Sequence, residues 1–160
     1  MSDDGALAEQ VLDTWRIHDR INRYLLAAVP AEALAGVSAS KGRTVGEQFA
    51  HVHNVRLMWL KQAAPELLAG LEKIEKDRAG DADALRAALE GSGRAVEELL
   101  RRGTEPGGRV KGFKPHAVAF LGYLVSHESH HRGQIALTLK QAGHPLDKKV
   151  AYGIWEWGVR

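Results

Sequence analysis

Residues 127 to 134 read HESHHRGQ, which places three histidines and a glutamate within five positions. On a helix turning about 100° per residue, His127 and His131 lie about 40° apart, close enough to grip one ion together. Phe120, Leu124 and Thr138 fall within about 60° of His127 on the same wheel, so both histidines sit on a largely apolar stripe. His130 lies about 100° from His131 and is a flank residue. A lone histidine on such a stripe is ordinarily a hydrogen-bonded core residue. Two in this register are different, because burying both neutral rings without partners costs about 1 to 3 kcal/mol each, and a metal ion removes that cost.

Other chemistries compete for the same residues. His127, Glu128 and His131 match the His-Glu-x-x-His signature of zinc proteases, with Glu128 as the candidate catalytic base. One branch of those enzymes requires Gly and His where this chain has Gln134 and Leu137; the other requires a downstream glutamate, for which only Glu156 is at hand. Glu128 and His131 also form one Glu-x-x-His of the di-iron type, but the second copy that such a site needs is missing. A further cluster, HVHN, offers His51 and His53, which stand about 200° apart on a helix and cannot both face inward. Val45, Phe49, Val52, Val55 and Trp59 centre between them, so periodicity does not choose.

The elements that must position these groups all read as helix. A first helix is expected from about Gly5 to Ala28, with Asp3 or Asp4 as its cap and Pro30 beyond its end. Thr44 and Glu47 form a capping box that opens a second helix over about Val45 to Ala63, stopped by Pro65. A third fits about Asp83 to Arg102, with a kink expected at EGSGR because glycine is costly inside a helix. Pro115 suits the first turn of a fourth helix running to about Ala142, where Gly143 stops it. KKVAYGIWEWG closes the chain as a short helix. With no alternating strand pattern, the fold class is all-α, a single domain over residues 1–160 built as an up-down four-helix bundle with short extra helices. Such bundles build metal sites from side chains on facing helices.

Composition narrows the classes. The chain has 160 residues, 44% hydrophobic and 26% charged, which is ordinary globular usage. Its 22 basic and 20 acidic residues are interleaved with no basic run, so a nucleic-acid partner is not expected. No stretch approaches a membrane span, and the acidic start is unlike a signal peptide, so the cytoplasm is the expected compartment. There is no cysteine, so any metal must be held by nitrogen and oxygen, and any thiol chemistry needs an external thiol.

TVGEQFAHVHNVRLMWL, followed at a distance by GYLVSHESHHRGQIALTLKQAGHPLDKKVAYGIWEWG, resembles the DinB/YfiT-like superfamily of metal-binding four-helix bundles over essentially the whole chain. The resemblance implies a metal held by His51, His127 and His131, with His53 and His130 left as neighbours. It implies a divalent ion, nickel or zinc first, with iron and manganese as further candidates. Three histidines without a fourth protein ligand describe an open, catalytic type of site. The implied activity is that of a metal-dependent enzyme, a thiol-dependent S-transferase or a hydrolase, acting on a small-molecule substrate with an external low-molecular-weight thiol as co-substrate. The alternative is a non-catalytic, stress-related metal-binding bundle. Glu128, Gln134 or a tail residue is the expected orienter of a ligand imidazole. Tyr123, Tyr152, Trp155 and Trp157 are candidates either for lining a pocket or for packing. The resemblance also implies a homodimer.

Overall fold

The computed structural model describes residues 3–160, with side chains described from residue 5 onward. Four long helices, α1 (Asp3–Ala28), α2 (Val45–Ala63), α3 (Ala82–Thr104) and α4 (Ala117–Gln141), are followed by a short α5 (Lys148–Gly153). Single 3-10 turns cover Ala31–Ala35, Pro65–Leu68 and Lys76–Arg78, and no strand occurs among the described residues. Among the described residues no helix is long and apolar enough to cross a membrane. The capping expected of Asp3 or Asp4 concerns side chains outside the described residues.

Most helix boundaries follow from local chemistry. Thr44 Oγ1 accepts from the Glu47 amide at 3.1 Å and Glu47 Oε2 accepts from the Thr44 amide at 2.8 Å, completing the expected capping box, an arrangement in which the cap alone contributes about 1 kcal/mol. Asp81 and Asp147 cap α3 and α5 with the forward bond alone, each carboxylate accepting from the amide three residues on, Ala84 and Val150. At α4 the expectation shifts: Pro115 precedes the helix, and the His116 ring caps it by accepting from the Ala119 amide at 3.2 Å. Gly143, at φ 86°, ends α4 as expected. The closing helix stops at Gly153, earlier than its apolar pattern suggests, and the tail continues in turns.

Two apolar clusters fill the bundle and reveal its course. One holds Leu25 and Leu26 of α1 with Val45, Phe49, Leu85, Leu89, Ile135 and Leu139; the other holds Val11, Leu12 and Trp15 with Leu60, Leu99, Leu100, Phe120 and Leu124. The first cluster joins the end of α1 to the starts of α2 and α3 and the end of α4. The directions are therefore up, down, down, up, so strict alternation along the chain does not hold. The reason is the connection 64–81, which starts where Arg102 reaches Glu66 near the end of α3 and returns to the start of α2, where Ala79 meets Gly46. Each of α1 and α2 packs against both α3 and α4.

Two glycines make close approaches that a Cβ would force to shift. A Cβ on Gly46 would lie 1.9 Å from the Ala79 carbonyl oxygen, so only glycine lets the 73–79 segment lie against α2. A Cβ on Gly93 would lie 2.7 Å from the Asp19 carboxylate. Through EGSGR α3 continues as one helix, and Gly93 admits α1 and accepts from Trp15 Nε1 at 2.9 Å.

Candidate metal centre

His51 lies two turns into α2, and His127 and His131 lie one turn apart on α4, which packs against it. The structure brings these three rings together: each offers one ligand nitrogen, and the three atoms all lie within 4.8 Å of one another. Ring centroids are 4.6 Å apart for His51 and His131, 4.7 Å for His127 and His131, and 5.4 Å for His51 and His127. Nitrogens bound to one tetrahedral zinc stand about 3.3 Å apart, so modest side-chain rotation closes the set. His131 is buried while His51 and His127 are half-buried, which leaves one side of the cluster open.

The residues fit a divalent ion on three observations. His131 Nδ1 donates to Gln48 Oε1 at 2.7 Å, which fixes the proton on Nδ1 and leaves Nε2 as the bare donor atom. The Nδ1 of His127 is buried and has no hydrogen-bond partner, the kind of orphaned polar atom that a ligated ion relieves. Finally, all three rings resist protonation. Burial pushes the His131 ring down to about 4, helped by His127 and His51. His51 is lowered by burial and then by Arg43, and His127 by burial, with His130 and Arg43 adding to it against the opposing pull of Glu128. Neutral imidazole is the ligating form.

The neighbours are sorted in the same way. His53 is buried and its Nε2 donates to the Glu72 carbonyl at 2.8 Å, away from the cluster. His130 is exposed. Tyr123 stacks on His127 with centroids 6.3 Å apart and joins Trp59, Phe113 and Phe120 in an aromatic cluster. Tyr152 and Trp155 are 70% and 76% exposed and outside the cleft beside His51, and Trp157 is half-buried in the tail.

Glu128 is where the sequence reading needs correction. Its carboxylate is 1% exposed and points into the bundle, where Oε1 accepts from Arg56 Nε at 2.6 Å and Oε2 accepts from Arg56 Nη2 at 2.8 Å, His18 Nε2 at 2.7 Å and Asn22 Nδ2 at 2.6 Å. Burial alone would raise its pKa, but the Arg56 guanidinium overrides that and holds the carboxyl well below the usual carboxylate range. A carboxylate buried away from water, turned from the histidine cluster and held ionised by Arg56 neither reaches a water molecule nor takes up its proton, so neither the protease base nor an imidazole-orienting role is available to Glu128. Among the described residues it is Gln48, not Gln134, that hydrogen-bonds a ligand ring.

Arg56 is itself fully buried and reaches Asp19 Oδ1 at 2.9 Å, the Leu89 carbonyl at 3.1 Å and Ser92 Oγ at 3.3 Å, with Trp15 beneath it. Arg132, next to His131, donates to Asn22 Oδ1 at 2.7 Å and to His18 Nδ1 at 3.2 Å. One polar network thus ties all four helices together directly beside the histidine cluster. Sequence reasoning missed it, although the signal was present: Asp19, Arg56 and Glu128 each occupy a helical register otherwise filled by core residues.

A family model described as the DinB family matches residues 1–148. No curated protein and no solved structure matches the chain. With a bundle of four long helices and three histidines converging between α2 and α4, and with the match covering all but the last 12 residues, the chain belongs to the DinB family.

Proposed function

We propose that the chain is a metal-dependent enzyme, a thiol-dependent S-transferase or a hydrolase of small molecules, with His51, His127 and His131 as its metal ligands. The observation that carries this reading is the open three-histidine set: among the described residues no fourth histidine, aspartate or glutamate joins the group, and structural zinc sites are closed by four protein ligands. A divalent ion there supplies Lewis acidity that lowers the pKa of a water or thiol. Imidazole ligands suit nickel and zinc, and also iron, while manganese prefers oxygen. The chain's own residues do the positioning. Gln48 holds the tautomer of His131, Tyr123 backs the ring of His127, and the Arg56–Glu128 pair fixes α2 against α4. Because the sequence has no cysteine, a thiol reaction needs bacillithiol, mycothiol, glutathione or a similar low-molecular-weight thiol from outside.

A second reading, a non-catalytic metal clip, draws on the fact that the ligands bridge two helices, since ion binding then stabilises the fold directly. A panel of thiol-dependent and hydrolytic substrates separates the two. Turnover that His127→Ala abolishes supports the enzyme; a chelator that lowers Tm in a protein without turnover on any substrate supports the clip. Homodimer formation is proposed on the family resemblance alone and is read by light scattering.

A further inference from the structure

Beside His51 an open cleft of ≈ 600 Å³ runs between the start of α2 and the 73–79 segment that Gly46 admits, and its charged lining is Arg43, Glu47, Lys73, Glu75 and Lys76. That volume suits a small molecule, since ligand sites commonly span about 300 to 1,000 Å³. Most of the charges are committed. Glu47 is held by the capping box and lies 4.0 Å from Lys76, and Lys73 pairs with Glu75 at 3.0 Å. Arg43 is exposed and has no ion pair or hydrogen bond among the described residues.

This arginine places a positive charge in the cleft beside His51. Three neutral imidazoles would leave a bound divalent ion with its full charge, and Arg43 adds another positive charge in the cleft that His51 also lines. The nearest buried carboxylate does not offset this, because Glu128 is already committed to Arg56 and His18. An anion in the cleft removes the repulsion and gives the guanidinium the planar, two-pronged partner it is built to bind.

We infer that this cleft is the substrate or co-substrate subsite, taking a small anionic molecule whose carboxylate or phosphate group rests on Arg43 while its other end reaches the open side of His51. This inference rests on the proposed function for the meaning of "substrate", but the anion site itself is tested without metal or turnover.

The experiment is a calorimetric titration of inorganic phosphate and of succinate, in separate arms, into metal-free and zinc-loaded protein, with Arg43→Gln and Lys114→Gln compared with wild type. Lys114 is exposed and outside the cleft, so its variant controls for loss of one positive charge. At least one probe is expected to bind wild type and Lys114→Gln alike, with affinity at least tenfold lower in Arg43→Gln and higher when zinc is loaded. The arm that binds states whether phosphate or carboxylate is the preferred group. Equal binding by Arg43→Gln, or no binding of either probe to wild type in both metal states, overturns the inference. Arg43-dependent binding in a protein that takes up no metal leaves this site standing and removes the metal-dependent reading; metal uptake by the three histidines with neither probe bound does the reverse.

Discussion

Replacing Glu128 by glutamine separates two accounts of the same residue. As a protease base, Glu128 could be lost with no effect on folding. In the structure it is the counter-charge of a guanidinium with no exposure to water, bonded through both prongs at 2.6 and 2.8 Å. Glutamine keeps the shape but removes the charge, and its amide group turns N–H bonds toward Arg56, His18 or Asn22, all of which donate to this position now. Among the described residues Asp19 then remains as the one carboxylate on Arg56, shared with Arg23. Removing one partner of a buried pair costs about 3 to 5 kcal/mol, and in a chain of this size each kcal/mol moves Tm by about 2 to 4 °C. Glu128→Gln is thus expected to lower Tm by roughly 6 to 20 °C in thermal unfolding followed by circular dichroism. The exposed control Glu90→Gln should stay within about 2 °C of wild type. Because the cost lies in the uncompensated partner, the double variant Arg56→Met with Glu128→Leu should lose less than the sum of its parts. A Glu128→Gln protein with unchanged Tm would refute the reasoning and return Glu128 to the list of catalytic candidates.

The other predictions follow from single contacts. Gln48→Leu removes the acceptor on His131 Nδ1 and should weaken metal binding by about 10- to 100-fold while far-ultraviolet circular dichroism stays unchanged; affinity equal to wild type would contradict the tautomer argument. His18 sits between the Glu128 acceptor and the Arg132 donor, and burial, only partly opposed by Glu128, lowers its pKa. The unfolded chain therefore binds the extra proton first, and this contribution to stability falls as pH drops below about 6.5. Urea unfolding between pH 7 and 5 should show it, with a flatter profile in His18→Gln; identical slopes would remove His18 from the account. Gly46→Ala puts a methyl group 1.9 Å from the Ala79 oxygen and should cost about 1 to 3 kcal/mol, read as a lower urea midpoint; a neutral result would mean the 73–79 segment is not pinned there.

The helices were legible because capping and termination are local. Thr44, Glu47 and Gly143 announce their turns within four residues of chain, and α2 spans the predicted positions. The i, i+4 spacing of His127 and His131 was equally local. Their meeting with His51 was not, since periodicity left His51 and His53 equal, and only the resemblance favoured His51. The buried network was hidden for a different reason. A hydrophobic pattern assigns a charged residue to the outside, so the stripe of α2 was drawn through Val55 and Trp59, whereas the buried face turns through His53 and Arg56. Arg56 can be inside only because Asp19 and Glu128 arrive from two other helices, a balance that no single helix displays. Gln48 was readable in principle, one turn before His51 and on its face. The helix directions depend on where the 64–81 connection leads, which local sequence does not encode.

The central claim, that His51, His127 and His131 meet on one ion with room left beside it, is tested most directly by titrating nickel and zinc into metal-free protein and collecting X-ray absorption spectra of the loaded form. One ion per chain, three imidazole nitrogens in the spectrum, and a loss of affinity beyond roughly 100-fold in each single histidine-to-alanine variant, more than a supporting outer residue brings, are the predicted results. Uptake unchanged by His51→Ala, or a fourth side chain among the ligands, would contradict it.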